Sequence, residues 1–380
     1  MQEYNTIIGK LLSGINRKKF KRIVDKYKGD FAVKKLSCWE QFVSVFLGQI
    51  TKASTLREIV DLIKFHSNQQ YHLGIKKDIA RSTLAKANET RDWRIYRDIF
   101  FDLVTKFQKT EYYQTTQIVK IIDSTPTYLK IMQHPWIETT MRIKGLKTHV
   151  VYDLTNNTPV YFDITGAKTN DITKAKEIEI EKGVMYVFDK GYMDYKWWND
   201  IAETGAYFVT RLKVNSAIIE MDEVKKHSEI ISSQLIKIKP SHHGKNRSCT
   251  QKLKRVIVQR ENDTPLVLVT NDINRSSKEI ADLYKSRWQI ELFFKWIKQN
   301  LKIKKFLGRS ENAIKTQICI AIIAFVLIRL MQKLQNFCKE VPLKTLITIA
   351  KNGLFTKLSL KPPSQKHSNA FVQLHFRLIE

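Results

Sequence analysis

Apolar positions change their rhythm along the 380 residues. From residue 1 to about 110 they recur every three or four positions, the period of helices with one buried face. Leu56, Ile59, Val60 and Ile63 share such a face, behind a capping box formed by Thr55 and Glu58 in TLRE. A loop with His72 and Gly74 follows, and Ser82 is the expected N-cap of the helix in KKDIARSTLAKANE. Further on, the apolar runs become short and continuous. QIVKIID (117–123), KTHVVYDL (147–154), PVYFDITG (159–166), VMYVFD (184–189) and AYFVTRLK (206–213) read as strands, the second and third joined as a hairpin through TNNT. A helix over 172–181 with Asp171 as its cap and another over YKWWNDIAET separate the later strands. The order β-β-β-α-β-α-β predicts three antiparallel strands, then crossover units that add parallel ones.

Residues 214–270 break into this pattern with a basic, strand-rich piece. KKH, PSHHGKNRS and QKLKR mark loops or arms there, and LIKIK, RVIVQ and PLVLVTN mark strands. Helices are expected from near Ser277 and from Ser310, with Glu311 favourable in the first turn of the second. The tail from KPPSQKHSN reads as loosely ordered.

Charge narrows the range of partners. Lys plus Arg number 65 against 37 Asp plus Glu, a net +28, and an excess of that size points to a polyanion, nucleic acid before an acidic membrane surface. ICIAIIAFVLIRLM (318–331) is too short before Arg329 to predict a membrane span and reads as a core helix. MQEYNTIIGKLLSG lacks the apolar stretch of a signal peptide. Cys38, Cys249, Cys319 and Cys338 stand far apart, which fits reduced thiols in the cytoplasm and neither a disulfide framework nor a zinc site. In the N-terminal part, two helices about a short turn, with Arg81, Ser82 and Thr83 beside Lys76 and Lys77, fit a DNA-docking unit and equally an ordinary helical domain with a basic face.

The stretch YKSRWQIELFFKWIK (284–298) carries the most chemistry. At roughly 100° per residue, Tyr284, Arg287, Glu291 and Lys298 fall within an arc of roughly 60°, with Lys295 beside them. Trp288, Ile290, Leu292, Phe293, Phe294, Trp296 and Ile297 fill most of the remaining circumference, the pattern of a buried helix with one polar stripe. Arg287 and Glu291 alone fit a simple i,i+4 ion pair; partners elsewhere for Glu291 would change that. Asp123 and Asp189 each finish an apolar strand, where α/β sheets bind ligands, and a carboxylate there needs a counter-charge. With Glu291 they make a trio suited to a hard divalent cation, while Asp153, Asp163 and Asp194 compete and Asp171 is explained as a cap.

The helix pattern Y-x2-R-x3-E-x6-K resembles the signature of bacterial insertion-sequence transposases of the DDE class, the insertion-sequence-four family. IIDSTP around Asp123, VFDKGYMDY around Asp189 and the block LYKSRWQIELFFKWIKQNLKIKKFLG agree in order. So do RKKFKRIVDKYKGDFAVKKLSCWEQF and RSTLAKANETRDWRIY, which resemble a helical DNA-binding domain in one branch of that family. The resemblance implies an α/β fold: an RNase H-like core, a mixed five-stranded sheet with helices, carrying a β-rich insertion at about 214–270. The expected domains are a helical DNA-binding part over 1–110, a catalytic part over 111–335 and a C-terminal segment over 336–380. It implies Asp123, Asp189 and Glu291 as catalytic residues holding Mg²⁺ or Mn²⁺, in two ions. Tyr284, Arg287, Lys298 and Lys295 would contact DNA phosphates; Trp288 or a neighbouring aromatic could stack on an extruded base, as in some relatives, but Trp288 is assigned to the core. Lys190 stands where many relatives have another basic residue, and the DNA contacts extend to Arg81 and Ser82. The implied partners are double-stranded DNA, at the element's ends and at the target, and a second copy of the chain, in the bacterial cytoplasm at the nucleoid and away from membranes. The alternatives are a structure-selective nuclease on the same fold and an inactive, transposase-derived repressor.

Overall fold

The computed structural model describes residues 6–108, 117–213, 216–221, 225–227, 230–239, 249–260, 263–300, 306–334 and 340–356. PSHHGKNRS, Cys338 and the tail from KPPSQKHSN lie outside them.

Helices open the chain: α1 (Ile7–Leu12), α2 (Arg17–Lys26), α3 (Cys38–Thr51), α4 (Leu56–Phe65), α5 (Ser67–Gln70), α6 (Arg81–Thr90) and α7 (Arg94–Gln108). Buried throughout from Cys38 to Ile50, α3 is the axis of this region, and Ser37 and Glu40 close a capping box at its start. Phe20, Trp39, Phe42 and Phe46 interlock around it, and the Trp39 indole donates to the Leu73 carbonyl at 2.7 Å. Two caps differ from expectation. Thr55 accepts from Glu58 N–H at 3.1 Å, but the Glu58 carboxylate reaches back to the Ser54 N–H, one residue early, so the box does not close on Thr55. Because α6 already begins at Arg81, Ser82 sits inside its first turn and is not the cap.

Next come β1 (Val119–Tyr128), β2 (Gly145–Asp153), β3 (Thr158–Gly166), α8 (Asp171–Ala175), β4 (Met185–Phe188), α9 (Tyr195–Glu203) and β5 (Tyr207–Arg211). Strands β1, β2 and β3 are antiparallel neighbours, and β4 and β5 add in parallel on the other side of β1. Buried along its whole length, β4 is the all-apolar strand that a covered parallel sheet requires. Phe188, Trp198 and Phe208 stack at 5.0–5.9 Å, and α9 closes this face with Trp197 and Trp198. The helix expected over 172–181 is cut to five residues, since the chain bends after Ala175.

The basic piece holds β6 (Ile218–Glu220), β7 (Lys225–His227), β8 (Ile230–Ile238), β9 (Leu253–Arg260) and β10 (Asp263–Thr270). Here the expectation of a five-stranded core with a separate insertion is corrected. The antiparallel pairing of β10 with β5 continues one sheet of ten strands, in the order β3-β2-β1-β4-β5-β10-β9-β8-β6 with β7 also on β8. A strand edge left by β5 is covered by the next available strand, which satisfies its backbone groups. KKH, expected in a loop, forms β7, and the QKLKR segment runs into β9.

The chain ends in α10 (Ser277–Ser286), α11 (Trp288–Asn300), α12 (Glu311–Leu334) and α13 (Leu343–Asn352). By length and composition α12 is apolar enough to cross a membrane, yet 83% of its most apolar window is buried within the protein. Contacts group the chain into two compact units, 1–87 with 323–380 and 88–322; the whole sheet belongs to the second.

Candidate active site

Strand pairing decides where the first carboxylate stands. The parallel pairing of β1 with β4 stops at Ile122–Phe188, while the antiparallel pairing with β2 runs on to Tyr128. Asp123 is therefore the first residue of β1 past its parallel neighbour and lies inside the strand, not at its end as the sequence suggested. Pro126 is tolerated because this part of β1 is an edge toward β4. Asp189 follows the last residue of β4, next to Asp123 across the sheet.

Both aspartates accept a hydrogen bond from the next backbone N–H, Asp123 Oδ1 from Ser124 at 2.8 Å and Asp189 Oδ1 from Lys190 at 2.7 Å. In each case one carboxylate oxygen is anchored and the other is left to the site.

The polar stripe reaches the same place on two helices. α10 ends at Ser286 and α11 begins at Trp288; Arg287, between them, is flanked by three-residue hydrogen bonds from Arg287 N–H to Tyr284 and from Ile290 N–H to Arg287. Ile290, Phe293, Phe294 and Ile297 are buried, with the Phe293 ring 5.3 Å from Tyr152 of β2. Trp288 is 56% exposed and Leu292 39%, so Trp288 is not a core residue. The ring of apolar residues on the wheel holds for α11 only in part, since Trp288 and Leu292, four apart, share an exposed face with Lys295.

These elements line a pocket of about 510 Å³ formed by Asp123, Ser124, Thr125, Asp189, Arg287, Glu291, Phe294, Lys295, Lys298 and Gln299. Arg287 bridges two of the carboxylates: one guanidinium nitrogen is 3.2 Å from Asp123 Oδ2 and another 2.5 Å from Glu291 Oε1, while buried Nε has no partner among the described residues. The i,i+4 ion pair is real, and it is also part of the site. Lys298 donates to Thr125 Oγ1 at 2.5 Å, and Tyr284 donates to Asp189 Oδ1 at 3.4 Å. Burial, then the charge of Asp189, pushes the Tyr284 phenol up to about 12. Burial first, with Asp189 and Glu291 adding negative charge, pushes Asp123 up to about 6 against the opposing pull of the Ser124 N–H and Arg287.

The pocket does not gather every residue singled out in the sequence. Lys190 contributes its backbone amide while its side chain is exposed. Arg81 and Ser82 are exposed at the start of α6 and are not among the lining residues. The competing acids have structural duties. Asp153 holds the hairpin turn through Asn156, Asp194 caps α9 and pairs with Lys176 at 2.6 Å, and Asp163 pairs with Lys174 at 3.0 Å. Asp171 is corrected: Asn170 holds the cap position, and the Asp171 carboxylate instead receives Ser124 Oγ at 3.0 Å and Lys147 Nζ at 3.3 Å, with His149 Nδ1 at 3.5 Å. Burial brings His149 down to about 4, so its ring is neutral near pH 7. No sequence signal marked Ser124, Lys147, His149 and Asp171 as a group.

Three hard carboxylates in one polar pocket are the donor chemistry a divalent cation prefers. As the side chains stand, with Arg287 between Asp123 and Glu291, no three His, Cys, Asp or Glu groups among the described residues are gathered closely enough to grip an ion. The donor types fit such an ion, and Arg287 stands on two of the three carboxylates.

Two strand-borne aspartates and a helical glutamate facing one pocket are the kind of carboxylate set that metal-dependent hydrolytic and phosphoryl-transfer enzymes use, polymerases and nucleases among them. Residues 114–327 match the transposase DDE domain family, more than half of the chain, and the protein belongs to that family, an enzyme of the transposase and nuclease type dependent in general on a divalent metal. Residues 3–76 match a family described only as a domain of unknown function. A Sinorhizobium fredii protein assigned as a transposase (y4zB) is 37% identical over 259 residues, 67% of this chain and 72% of that one. The transposase assigned to insertion sequence element IS5377 of Geobacillus stearothermophilus is 28% identical over 56% of each chain. That assigned to element IS4SA of Synechocystis is 26% identical over 77% of this chain and 81% of its own.

Proposed function

We propose that this transposase belongs to the insertion-sequence-four family and moves its element by cut-and-paste, cutting at the element's ends and joining the freed 3′-hydroxyl to target DNA. The observation that carries the reading is the convergence of Asp123, Asp189 and Glu291, from two strands and a helix, on one pocket with Arg287 and Lys298. In this reading the half of the sheet from β3 to β5 is an RNase H-like core, and the three carboxylates hold two ions, Mg²⁺ or Mn²⁺. Bound there, the ions supply Lewis acidity and offset charge on the attacking and leaving oxygens.

The chain's own residues prepare the substrate. With Oδ1 anchored by Ser124, Asp123 presents Oδ2, the oxygen that Arg287 now holds. Arg287, on leaving it, offers a planar fork to a phosphate, and Lys298 and Lys295 add point charges at the pocket wall. The protonated Tyr284 phenol donates and does not repel the phosphate. Water adds to the phosphorus at the element's end as the bond to the 3′ oxygen breaks, leaving a 3′-hydroxyl on the element. That hydroxyl then attacks a target phosphorus, displacing the target's 3′ oxygen. Lys190 and, in the helical N-terminal part, Arg81 and Ser82 extend the DNA contact; two copies of the chain act on paired ends, in the bacterial cytoplasm at the nucleoid.

An assay with the DNA that flanks the gene as the source of element ends tests this. Pre-cleaved ends should be joined to target DNA, and Asp123→Ala, Asp189→Ala and Glu291→Ala should each lower end cleavage on the order of 10³-fold or more while end binding persists. Cleavage without joining would favour the structure-selective nuclease, and binding without either the repressor.

A further inference from the structure

Side chains alternate across a strand, so Asp123 and Thr125 face α11 while Ser124 faces the opposite side of the sheet. On that rear face, Ser124 lies opposite His149 of β2, which lies opposite Asp163 of β3. Asp171, the first residue of α8, closes on this row. Its Oδ1 accepts from Ser124 Oγ at 3.0 Å and from Lys147 Nζ at 3.3 Å; Lys147 also donates to the Thr169 carbonyl at 2.9 Å, and His149 Nε2 is 2.8 Å from Thr165 Oγ1. Asp171 is thus fixed from two strands. Ser124 in turn joins the two faces: its hydroxyl is held by Asp171, and its N–H holds Asp123 Oδ1 at 2.8 Å. This happens where the parallel pairing of β1 has just ended, at Ile122, so the backbone at residues 123–125 is laddered to β2 on one side and has no strand on the side of β4.

We propose that Asp171 is a positioning residue for the active site, pinning Ser124 from the rear face so that the β1 backbone and its N–H hold the Asp123 carboxylate in one orientation toward the pocket. The inference rests on the reading of Asp123 as a metal-holding residue. It predicts that the rear-face bond is felt as metal affinity, in the manner of groups that orient metal ligands from behind, whose loss typically costs 10–100-fold.

The test is Mn²⁺ binding by electron paramagnetic resonance on the full chain, together with the Mg²⁺ concentration giving half-maximal single-turnover end cleavage. Ser124→Ala keeps the N–H but removes the pin, and should weaken Mn²⁺ binding roughly tenfold. Asp171→Ala should do the same, the double variant should be no weaker than either single one, and Ser124→Thr should restore binding. Asp163→Asn, in the same row but outside the link to Ser124, should stay within about twofold. Ser124→Ala leaves a half-buried methyl, so the test stands even if Asp171→Ala fails to fold. Wild-type Mn²⁺ binding in Ser124→Ala, or losses that add in the double variant, would overturn the proposal. If Asp123→Asn also binds Mn²⁺ like the wild type, the failure belongs to the reading of the site itself.

Discussion

Two charged clusters share the β3-to-β5 half of the sheet, and they are built on opposite plans. Behind the sheet, Asp163, Asp171 and Glu177 meet Arg97, Lys147 and Lys174, each carboxylate within 4 Å of a cation. In front, Asp123 and Glu291 share one guanidinium, with Asp189 beside them, and Asp123 is pushed up to about 6. A cluster that balances itself holds the fold together. One in which two carboxylates crowd a single guanidinium, and burial raises one of them, favours a further cation. Four experiments pull on this contrast.

The largest effect is expected on stability at the rear. Asp163→Ala takes from Lys174 and Arg97 the carboxylate they share, leaving Glu177 to the one and Asp98 to the other, and should cost roughly 2–3 kcal/mol, discounted from the fully buried case because all three side chains keep some water contact. Chemical denaturation measures it; an unchanged midpoint would erase the distinction between the clusters. At the front the sign reverses with pH. A carboxyl raised from 3.8 to about 6 binds more protons folded than unfolded, so its contribution is present at low pH and lost as pH rises through about 6. In chelator, wild type should lose roughly 2–3 kcal/mol across that window relative to Asp123→Asn, and saturating Mg²⁺ should remove the difference. Parallel pH curves for the two proteins would contradict the raised Asp123 carboxyl.

Arg287→Gln comes next in size. Removing the resident cation should tighten Mn²⁺ binding about five- to tenfold while weakening binding of cleaved ends, measured by titration and gel shift. Weaker metal binding would mean that Arg287 supports the ion and does not compete with it. The smallest effect is the most pointed: Trp288→Ala should move stability by less than about 0.5 kcal/mol, since the indole is half out of the protein. A loss of several kcal/mol would restore the core assignment that the sequence favoured.

How the sequence reads differs between these clusters for physical reasons. Asp123 and Asp189 were visible because each follows an unbroken apolar run, and Glu291 because spacings of three, four and seven survive even a local break in the helix. Trp288 departs from the core assignment because apolar character alone does not say which side of a helix meets its neighbours: Trp288 and Leu292, four apart, lie on the face of α11 turned to solvent. Asp171 was misread by a single position: as a cap its carboxylate would be spent on its own helix, whereas one residue further on it is free to reach across to β1 and β2. The rear cluster is spread over β2, β3 and α8 and becomes a cluster only through strand register, which no local pattern encodes. The continuation of the sheet through β10 was hidden for the same reason, as alternation identifies a strand but not its neighbour.

The central claim is that the front carboxylates form the metal site and the rear ones do not. Mn²⁺ titration followed by electron paramagnetic resonance at pH 7.5 tests it directly. The account predicts binding by the wild type and by Asp163→Asn, and a loss of more than about tenfold in both Asp123→Asn and Glu291→Gln. Wild-type affinity in Asp123→Asn and Glu291→Gln, with binding lost in Asp163→Asn, would contradict it.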